Sequence, residues 1–221
     1  MLIVVAGVFL IVQPVSGRDG PPKFKTNDQK LLYLWGATIG NEVAVAGVTD
    51  TKELEWISRG LRDRVAGQSP AFATDEQSQL YDYLMSRLEK TAVTEEKHSL
   101  AFVREKAKEP NALVTDSGLV YRELLRGDGA QPAKDSKVKV EYVGTLRNGW
   151  VFDSSRQRGA PLETSLTEVI GCWKEAIPMM KVGGKAVITC PPKLGYGYGG
   201  TPTIPPNSAL SFDVELLEVD K

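Results

Sequence analysis

The chain has 221 residues, of which 42% are hydrophobic and 25% are charged, and its formal net charge at pH 7 is -1. These values are typical of a soluble globular protein with room for one large domain or two small ones. Because positive and negative charges balance, the composition gives no basis for nucleic-acid binding, and we expect none.

Residues 1–17, MLIVVAGVFLIVQPVSG, differ in character from the rest of the chain. Leu2 to Val12 is almost wholly apolar, and Val15-Ser16-Gly17 offers a small-x-small cleavage site. The apolar run has the length of the hydrophobic region of a secretory signal peptide and is short for a membrane span. The pattern therefore predicts export, with residues 1–17 as the signal peptide, although no Lys or Arg precedes the apolar run.

The next segment, residues 28–108, has the period of helices. A cap at Asn27 or Asp28 precedes a first helix, and Gly47 is a typical residue at the end of such a helix. Apolar residues of this helix recur at every fourth position, at Leu31, Trp35 and Ile39.

Two patterns that resemble capping boxes mark the starts of a second and a third helix. Asp50 is followed after three residues by Glu53, and Thr74 is followed after three residues by Gln77. In such a box the first side chain and the fourth each satisfy a free backbone N–H at the helix start.

The third helix is long, carries a charged end from Arg104 to Glu109, and stops at Pro110, which cannot continue a helix. Helices of this kind usually bury their apolar stripes against each other, but three of them make a thin core. Pairing with a second copy would bury more apolar surface, and a two-fold dimer is the commonest oligomer. We expect a helical dimerisation domain at residues 18–73 and a long connecting helix at residues 74–112.

After Pro110 the apolar period changes from that of helices to that of strands. Asn148-Gly149 is a strong signal for a two-residue hairpin turn, and Val169 to Ile177 is typical of one short helix. Four segments predict strands, at residues 119–125, 138–143, 186–190 and 210–219. The predicted fold class is α+β, a mostly antiparallel sheet with a short helix, preceded by an all-helical part.

Cys172 and Cys190 stand 18 residues apart, and the only histidine is His98. A zinc site needs about four such ligands, so we expect no metal. In an oxidising compartment the two cysteines can form a disulfide; otherwise they are buried thiols that pack as small hydrophobes. Spacing alone does not fix the distance between their Cα atoms, so both states remain open.

The motifs of common hydrolases and nucleotide-binding enzymes are missing from the sequence. It contains no G-x-S-x-G elbow, no H-E-x-x-H and no Walker loop. His98 lies on the long helix, far in sequence from every candidate site, which argues against a Ser-His-Asp hydrolase. The Gly-rich run from Gly195 to Gly200 contains two tyrosines and is followed by no lysine, which disfavours a phosphate site.

Five aromatic residues of the carboxyl-terminal half are spread over strands, the short helix and a loop: Tyr142, Phe152, Trp173, Tyr196 and Phe212. The simplest interpretation is that they form the core of a domain of about 100 residues. The hydroxyls of the two tyrosines, however, need a partner or solvent and suit the rim of a pocket. Together with Asp153, the aromatic residues indicate an apolar cup with a few polar tips, which suits binding of an apolar ligand or turn.

Four motifs follow one another in this half of the chain. They are E-Y-V-G-T-L-x-N-G-x-x-F-D-S-S-R at Glu141–Arg156, E-V-I-G-C-W-K-E-A at Glu168–Ala176, G-Y-G at Gly195–Gly197, and I-P-P-N-S-A-L-S-F-D-V-E-L at Ile204–Leu216. The set resembles the FKBP family of peptidyl-prolyl isomerases and extends over residues 113–221, the expected isomerase domain. The helical front half resembles the Mip-like (macrophage infectivity potentiator) subgroup of Gram-negative bacteria.

The resemblance implies a twisted antiparallel sheet half-wrapped around a short helix, with a proline pocket between them. It implies that Trp173 forms the floor for the proline ring, that the Tyr196 hydroxyl and the Ile170 N–H bond substrate carbonyls, and that Asp153 lies beside the twisting amide. Asp153, Tyr196 and Trp173 would thus be the catalytic residues. The remaining pocket residues would be Tyr142, Phe152, Arg158, Leu162, Val169, Ile170, Ile204 and Phe212.

Three positions in these motifs and beside them bear on how the resemblance is interpreted. Arg158 falls where the family has a basic partner for the aspartate and tyrosine; without the resemblance, Asp153 would be a turn residue or pair with Arg156 or Arg158. Leu162 replaces a commonly aromatic wall residue, and Cys172 stands where a small residue usually precedes the tryptophan. These departures bear on substrate preference.

The resemblance implies an isomerase that assists the folding of exported proteins in the periplasm or outer membrane of a Gram-negative bacterium, or after secretion. Its partners would be proline-containing polypeptides, macrolide inhibitors such as rapamycin, and a second copy bound through the amino-terminal helices; no cofactor is expected. Two alternatives use the same features. A non-catalytic chaperone would use the cup only to hold chains, and a secreted virulence or interaction protein would use the helical half for its contacts.

Overall fold

A computed structural model describes residues 22–68, 71 and 73–220, so the signal peptide expected at residues 1–17 lies outside the described residues. Three helices form the amino-terminal part: α1 (Asn27–Val45), α2 (Thr51–Val65) and α3 (Thr74–Lys106). In the part of the chain that is described, no helix has both the length and the apolar character needed to cross a membrane.

The start of α1 differs from the prediction by one residue. The cap is Thr26, whose side-chain oxygen accepts a hydrogen bond from the Gln29 N–H at 3.2 Å, and not Asn27 or Asp28. Thr26 is in the extended conformation, so its hydroxyl can reach back to the first turn of the helix.

The start of α3 also differs from the prediction by one residue. The Ala73 N–H donates to the Glu76 carboxylate at 2.9 Å, and the helix begins at Thr74. The predicted pairing of Thr74 with Gln77 is therefore wrong, because Glu76 takes the position from which a side chain reaches back to the cap. The helix ends at Lys106, before the proline that was expected to stop it.

Asp50 caps α2 as predicted, accepting a hydrogen bond from the Lys52 N–H at 2.9 Å. Glu53, however, does not complete a capping box; it pairs with Arg87 of α3 at 2.7 Å. The same guanidinium donates to the carbonyl oxygens of Ala46 and Gly47, at 3.0 and 2.7 Å. Arg87 thus connects α3 to the turn between α1 and α2 and to the first turn of α2.

The carboxyl-terminal part is one antiparallel sheet with two short helices, which confirms the predicted α+β fold. Its strands pair in the order β1-β2-β6-β7-β3-β4, and β5 also pairs with β3. The strands are β1 (Ala112–Val114), β2 (Val120–Leu125), β3 (Lys137–Leu146), β4 (Val151–Ser154), β5 (Leu162–Ser165), β6 (Lys185–Cys190) and β7 (Leu210–Asp220). The helices are α4 (Ser155–Arg158) and α5 (Gly171–Ala176).

The two longest strands, β3 and β7, alternate as predicted. Inward residues are almost fully buried and outward residues are partly or fully exposed, so one face of the sheet packs against α5. The predicted hairpin joins β3 to β4: the Asn148 side chain accepts from the Trp150 N–H at 3.0 Å, and Gly149 has a φ of 82°. This positive φ suits glycine, which has no side chain to clash.

The carboxyl-terminal half of α3 packs against the carboxyl-terminal part of the chain. The Ala209 N–H, which lies just before β7, donates to the Ser99 hydroxyl at 2.7 Å, and Ser99 is fully buried. At the β3–β4 turn, Arg147 makes a two-pronged ion pair with Glu95 at 2.8 and 2.9 Å. The long helix therefore contacts the loop that leads into β7.

The Ser99→Ala substitution should lower the free energy of unfolding by about 1–3 kcal/mol, because it leaves the buried Ala209 N–H without an acceptor. Urea unfolding measures the change. Ser78→Ala is the matched control on the same helix, since Ser78 is exposed and its hydroxyl contacts only the Thr74 carbonyl, at 3.4 Å. The control should change stability by less than about 0.5 kcal/mol. Equal effects of the two substitutions would contradict the assigned contact.

Candidate functional site

Trp173 of α5 lies against two aromatic rings of the sheet. Its ring centroid is 4.9 Å from that of Tyr142 on β3 and 5.4 Å from that of Phe212 on β7, and both pairs meet edge to face. Phe152 of β4 meets Phe212 in the same way at 5.6 Å. We call Tyr142, Phe152, Trp173 and Phe212 the aromatic cluster. Edge-to-face geometry is favourable because the positive ring edge faces the negative ring face.

Gly144 makes room for the aromatic cluster, although no role was predicted for it from the sequence. A Cβ at this position would lie 2.7 Å from the Phe152 ring and 3.0 Å from the Phe212 ring. Any side chain at residue 144 would therefore displace one of the two rings. The available signal was weak: Gly144 directly follows the strand predicted at residues 138–143, and a glycine within a strand, as Gly144 is in β3, often marks a close approach.

Asp153, Tyr142 and Arg158 form one hydrogen-bonded network. The Tyr142 hydroxyl donates to one oxygen of the Asp153 carboxylate, and the Arg158 guanidinium donates to the other. Arg158 also donates to the Tyr142 hydroxyl at 2.9 Å. Of the two arginines considered for Asp153, Arg158 is thus the partner, whereas Arg156 pairs with carboxylates elsewhere on the sheet.

The Tyr142 hydroxyl was expected to need a partner or solvent, which suits a pocket rim, and only 4% of the residue is exposed. Its hydroxyl is satisfied by Asp153 and Arg158, so it does not need solvent. Burial, followed by the hydrogen bond to Asp153, raises the pKa of Tyr142 to about 12. The hydroxyl therefore remains a donor at neutral pH.

Two serines after Asp153 hold this network in place. The fully buried Ser155 hydroxyl accepts from the Tyr142 N–H at 2.8 Å and lies 3.3 Å from the Tyr142 carbonyl oxygen, to which it donates. Ser154 caps α4 by accepting from the Gln157 N–H at 3.3 Å. The single turn of α4 then brings Arg158 back over Asp153. In the sequence these serines stand out only as part of the F-D-S-S-R motif, and no role was predicted for them.

Tyr196 and Ile204 lie on the loop between β6 and β7, which closes on itself. The Thr201 N–H donates to the Ile204 carbonyl at 2.9 Å, and the Asn207 N–H donates to the Gly197 carbonyl at 2.8 Å. Ile204 is 3% exposed and belongs to the core, whereas Tyr196 is 42% exposed, as expected for a rim residue. Burial, with a smaller effect of Asp153, raises the pKa of Tyr196, so its hydroxyl is protonated at neutral pH.

Three further predicted pocket residues are partly buried and pack against the buried core between the sheet and α5: Leu162, Val169 and Ile170. Val169 and Ile170 were predicted inside the short helix, but α5 begins at Gly171 and Ile170 is its cap. The Ile170 carbonyl accepts from the Trp173 N–H at 3.0 Å. Within the described residues the Ile170 N–H has no acceptor, and the buried Trp173 indole N–H has none either.

The structure thus brings the sequence-predicted site residues to one side of the sheet, around α5. What they offer is apolar surface, a neutralised carboxylate and a few donors. Within the described residues, no histidine or thiolate lies beside Asp153, because the only histidine is on α3 and both cysteines are bonded to each other. The arrangement is suited to holding and desolvating a ligand more than to attacking it.

The models of two protein families match this chain, one in each of its two parts. The model of the family described as FKBP-type peptidyl-prolyl cis-trans isomerase matches residues 129–217. A second model, described as the domain amino terminal to FKBP-type peptidyl-prolyl isomerase, matches residues 28–122.

Individual proteins that are similar to this chain carry names of the same family. The FKBP-type peptidyl-prolyl cis-trans isomerase FkpA of Escherichia coli K12 is 36% identical over 225 residues, which cover 94% of this chain and 81% of that protein. A macrophage infectivity potentiator of Trypanosoma cruzi is 46% identical over 120 residues, or 53% of this chain and 61% of that protein. The crystal structure of FkpA from Escherichia coli matches with a TM-score of 0.64 at 34% identity, covering 90% of this chain and 99% of that one.

The buried phenols predict a loss of stability at high pH. Burial raises the pKa of both Tyr142 and Tyr121 to about 12, whereas a tyrosine in an unfolded chain titrates near about 10. Because the folded pKa is the higher one, the stabilisation is complete below pH of about 10 and is lost as the pH rises towards 12.

Tyr142→Phe should therefore make the free energy of unfolding fall less steeply between pH 10 and pH of about 12, by up to about 1.4 kcal/mol per pH unit. Urea unfolding at several pH values in this range measures the two slopes. Tyr121 is unchanged in both proteins and contributes equally. Identical slopes would contradict a buried, protonated Tyr142.

Proposed function

The chain belongs to the FKBP-type peptidyl-prolyl cis-trans isomerases, and from this premise we propose that the aromatic cluster and its surrounding donors are the site at which X-Pro amides rotate. The protein is an enzyme that assists protein folding and acts on proline-containing polypeptides. The observation that carries the assignment of the site is the placement of Trp173 between Tyr142 and Phe212, beside the Asp153 network.

Rotation about an X-Pro bond has to break the partial double bond of the amide, with a barrier of roughly 18–20 kcal/mol. Water stabilises the planar, charge-separated form through the carbonyl oxygen. An apolar site removes that water and favours the twisted form over either planar one. A thousandfold acceleration needs only about 4 kcal/mol of such preference, and no bond has to be made or broken.

We assign roles to the residues accordingly. Trp173 provides the floor for the proline ring, and its almost complete burial keeps water away from that floor. The free N–H of Ile170 and the protonated hydroxyl of Tyr196 donate to substrate carbonyls. The walls are formed by Tyr142, Phe152, Leu162, Val169, Ile204 and Phe212.

Asp153 acts in this proposal as a fixed polar wall beside the twisting amide. Its two oxygens are already engaged by Tyr142 and Arg158, so the carboxylate is not free to act as a base. Arg158 also lies over the Tyr142 ring, with its guanidinium carbon 5.5 Å from the ring centroid. This contact keeps the positive charge next to the carboxylate and away from the floor of the site.

We further propose that residues 18–73 form a dimerisation domain, residues 74–112 a connection, and residues 113–221 the isomerase domain. The helices support dimerisation because they expose large apolar side chains that a monomer would leave in water. The most exposed are Leu32, Trp35, Trp56, Val65, Tyr81 and Val93. A second copy related by a two-fold axis would cover the same face on each chain.

Two smaller proposals follow from the family. Macrolides of the rapamycin type should bind at the aromatic cluster and compete with substrate. An apolar segment at residues 1–17 supports export to the periplasm or outer membrane of a Gram-negative bacterium, or secretion from it.

Tyr196→Phe should lower kcat/KM for a short X-Pro peptide by about 2- to 10-fold, because it removes one hydrogen bond worth about 0.5–1.5 kcal/mol. A protease-free isomerisation assay measures it. Tyr198→Phe is the matched control, since Tyr198 lies two residues away and is 64% exposed.

In the same assay, Asp153→Ala should lower kcat/KM less than Trp173→Ala does. Abolition of turnover by Asp153→Ala, with peptide binding intact, would contradict a mechanism without proton transfer.

Replacing Leu31 and Trp35 of α1 by glutamate should convert the dimer into a monomer, because both side chains are more than half exposed and the charges would have to be desolvated. Light scattering during gel filtration gives the mass. The matched control replaces Leu113 and Leu125 by glutamate, since both are apolar residues of the sheet that are also more than half exposed, and it should leave a dimer. A monomeric wild-type chain, or a dimeric α1 variant, would contradict the proposal.

A further inference from the structure

The two cysteines form a disulfide in the structure, which decides between the alternatives left open by their spacing. Cys172 and Cys190 are bonded, and their Cα atoms are 5.7 Å apart, a usual distance for a disulfide. Neither residue has any exposed surface. The bond is therefore inside the core of the isomerase domain.

The disulfide joins the two segments that carry the proposed substrate contacts. Cys172 directly precedes Trp173 on α5 and lies two residues after Ile170. Cys190 is the last residue of β6, and the chain then enters the loop that carries Tyr196. The bond thus connects the floor of the site to the base of its rim.

The two sides of the disulfide differ in how firmly they are held. β6 is an interior strand, paired on one side with β2 and on the other with β7. α5 has six residues, too few to be stable by itself, so its position depends on its contacts. Among the described residues, the disulfide and the buried apolar face of α5 are supplemented by one side-chain hydrogen bond, in which the Glu175 carboxylate accepts from the Ser117 hydroxyl at 2.8 Å.

We therefore expect that breaking the bond displaces α5. Two unbonded sulfur atoms cannot stay at bonding distance, and a close-packed interior has no free space into which they can separate. Since β6 is fixed by two neighbouring strands, the displacement falls on α5, and hence on Trp173 and Ile170.

We propose that Cys172 and Cys190 are positioning residues of the isomerase site: their disulfide holds Trp173 and the Ile170 N–H in the arrangement that binds the X-Pro segment. This rests on the proposed function of the aromatic cluster. Reduction takes up two electrons and two protons and gives two thiols. Dithiothreitol supplies both during refolding and is itself oxidised to a cyclic disulfide.

The test compares oxidised wild type, wild type refolded in dithiothreitol, and Cys172→Ala/Cys190→Ala, all as full chains at a temperature where circular dichroism shows each to be folded. Both forms without the bond should have kcat/KM for an X-Pro peptide lowered by about tenfold or more, since small misplacements of binding groups are costly. Reoxidation of the reduced wild type should restore the rate. Unchanged kcat/KM in both forms would overturn the proposal.

Cys172→Ala/Cys190→Val is the matched control for packing, because valine refills most of the lost volume. It should be as slow as the double alanine variant; recovery of the wild-type rate would show a packing role only and overturn the proposal. An inactive oxidised wild type would instead count against the proposed function itself.

A second readout separates positioning from stability. The chain has four tryptophans, so we expect four indole N–H signals in an NMR spectrum. The Trp173 signal, assigned with Trp173→Phe, should shift on loss of the disulfide, while those of Trp35 and Trp56 in the helical part stay in place. A Trp173 signal that does not shift would overturn the proposal even if the midpoint of unfolding falls.

Discussion

The edge-to-face contacts of Trp173 with Tyr142 and Phe212 join the short helix α5 to the centre of the sheet, and the site depends on them. β3 and β7 pair over nearly their whole length, so the two rings stand side by side on a rigid surface. α5 has no stability of its own and takes its position from what it packs against. If the aromatic cluster is the substrate site as proposed, the same contacts that bury apolar area also set where a proline ring lies, and core and site cannot be separated.

In the proposed function, this arrangement accounts for catalysis by a site without a nucleophile. The reaction needs an environment that prefers a twisted amide, and apolar walls with a few fixed donors provide one. The polar groups present are held in defined states: Tyr142 keeps its proton because it is buried, and Asp153 is neutralised by Arg158. No proton has to move for the amide to rotate. The helical half adds exposed apolar surface and, through Ser99, a contact with the loop before β7.

Much of the fold and part of the candidate site could be predicted from the sequence, namely the features that depend on neighbouring residues. The alternation in β3 and β7 and the Asn148-Gly149 turn depend only on local pattern, and they are confirmed. Helix starts were wrong by one residue at Thr26 and Ala73 because several neighbouring side chains can cap. The role of Gly144 depends on rings from two other strands, and the disulfide depends on a distance between α5 and β6. A local pattern does not show which distant groups meet at such positions, and β1 and β5 are too short to show a period.

The central claim is that this chain rotates X-Pro amides by desolvation and twisting, with no proton transfer. The most direct measurement is kcat/KM for cis-to-trans isomerisation of a short X-Pro peptide by the full chain, in H₂O and in D₂O. We predict clear acceleration over the uncatalysed rate and a ratio of kcat/KM in H₂O to kcat/KM in D₂O of about 1. A folded chain that gives no acceleration, or a ratio above about 2, would contradict it, the latter because general acid or base catalysis would then be limiting.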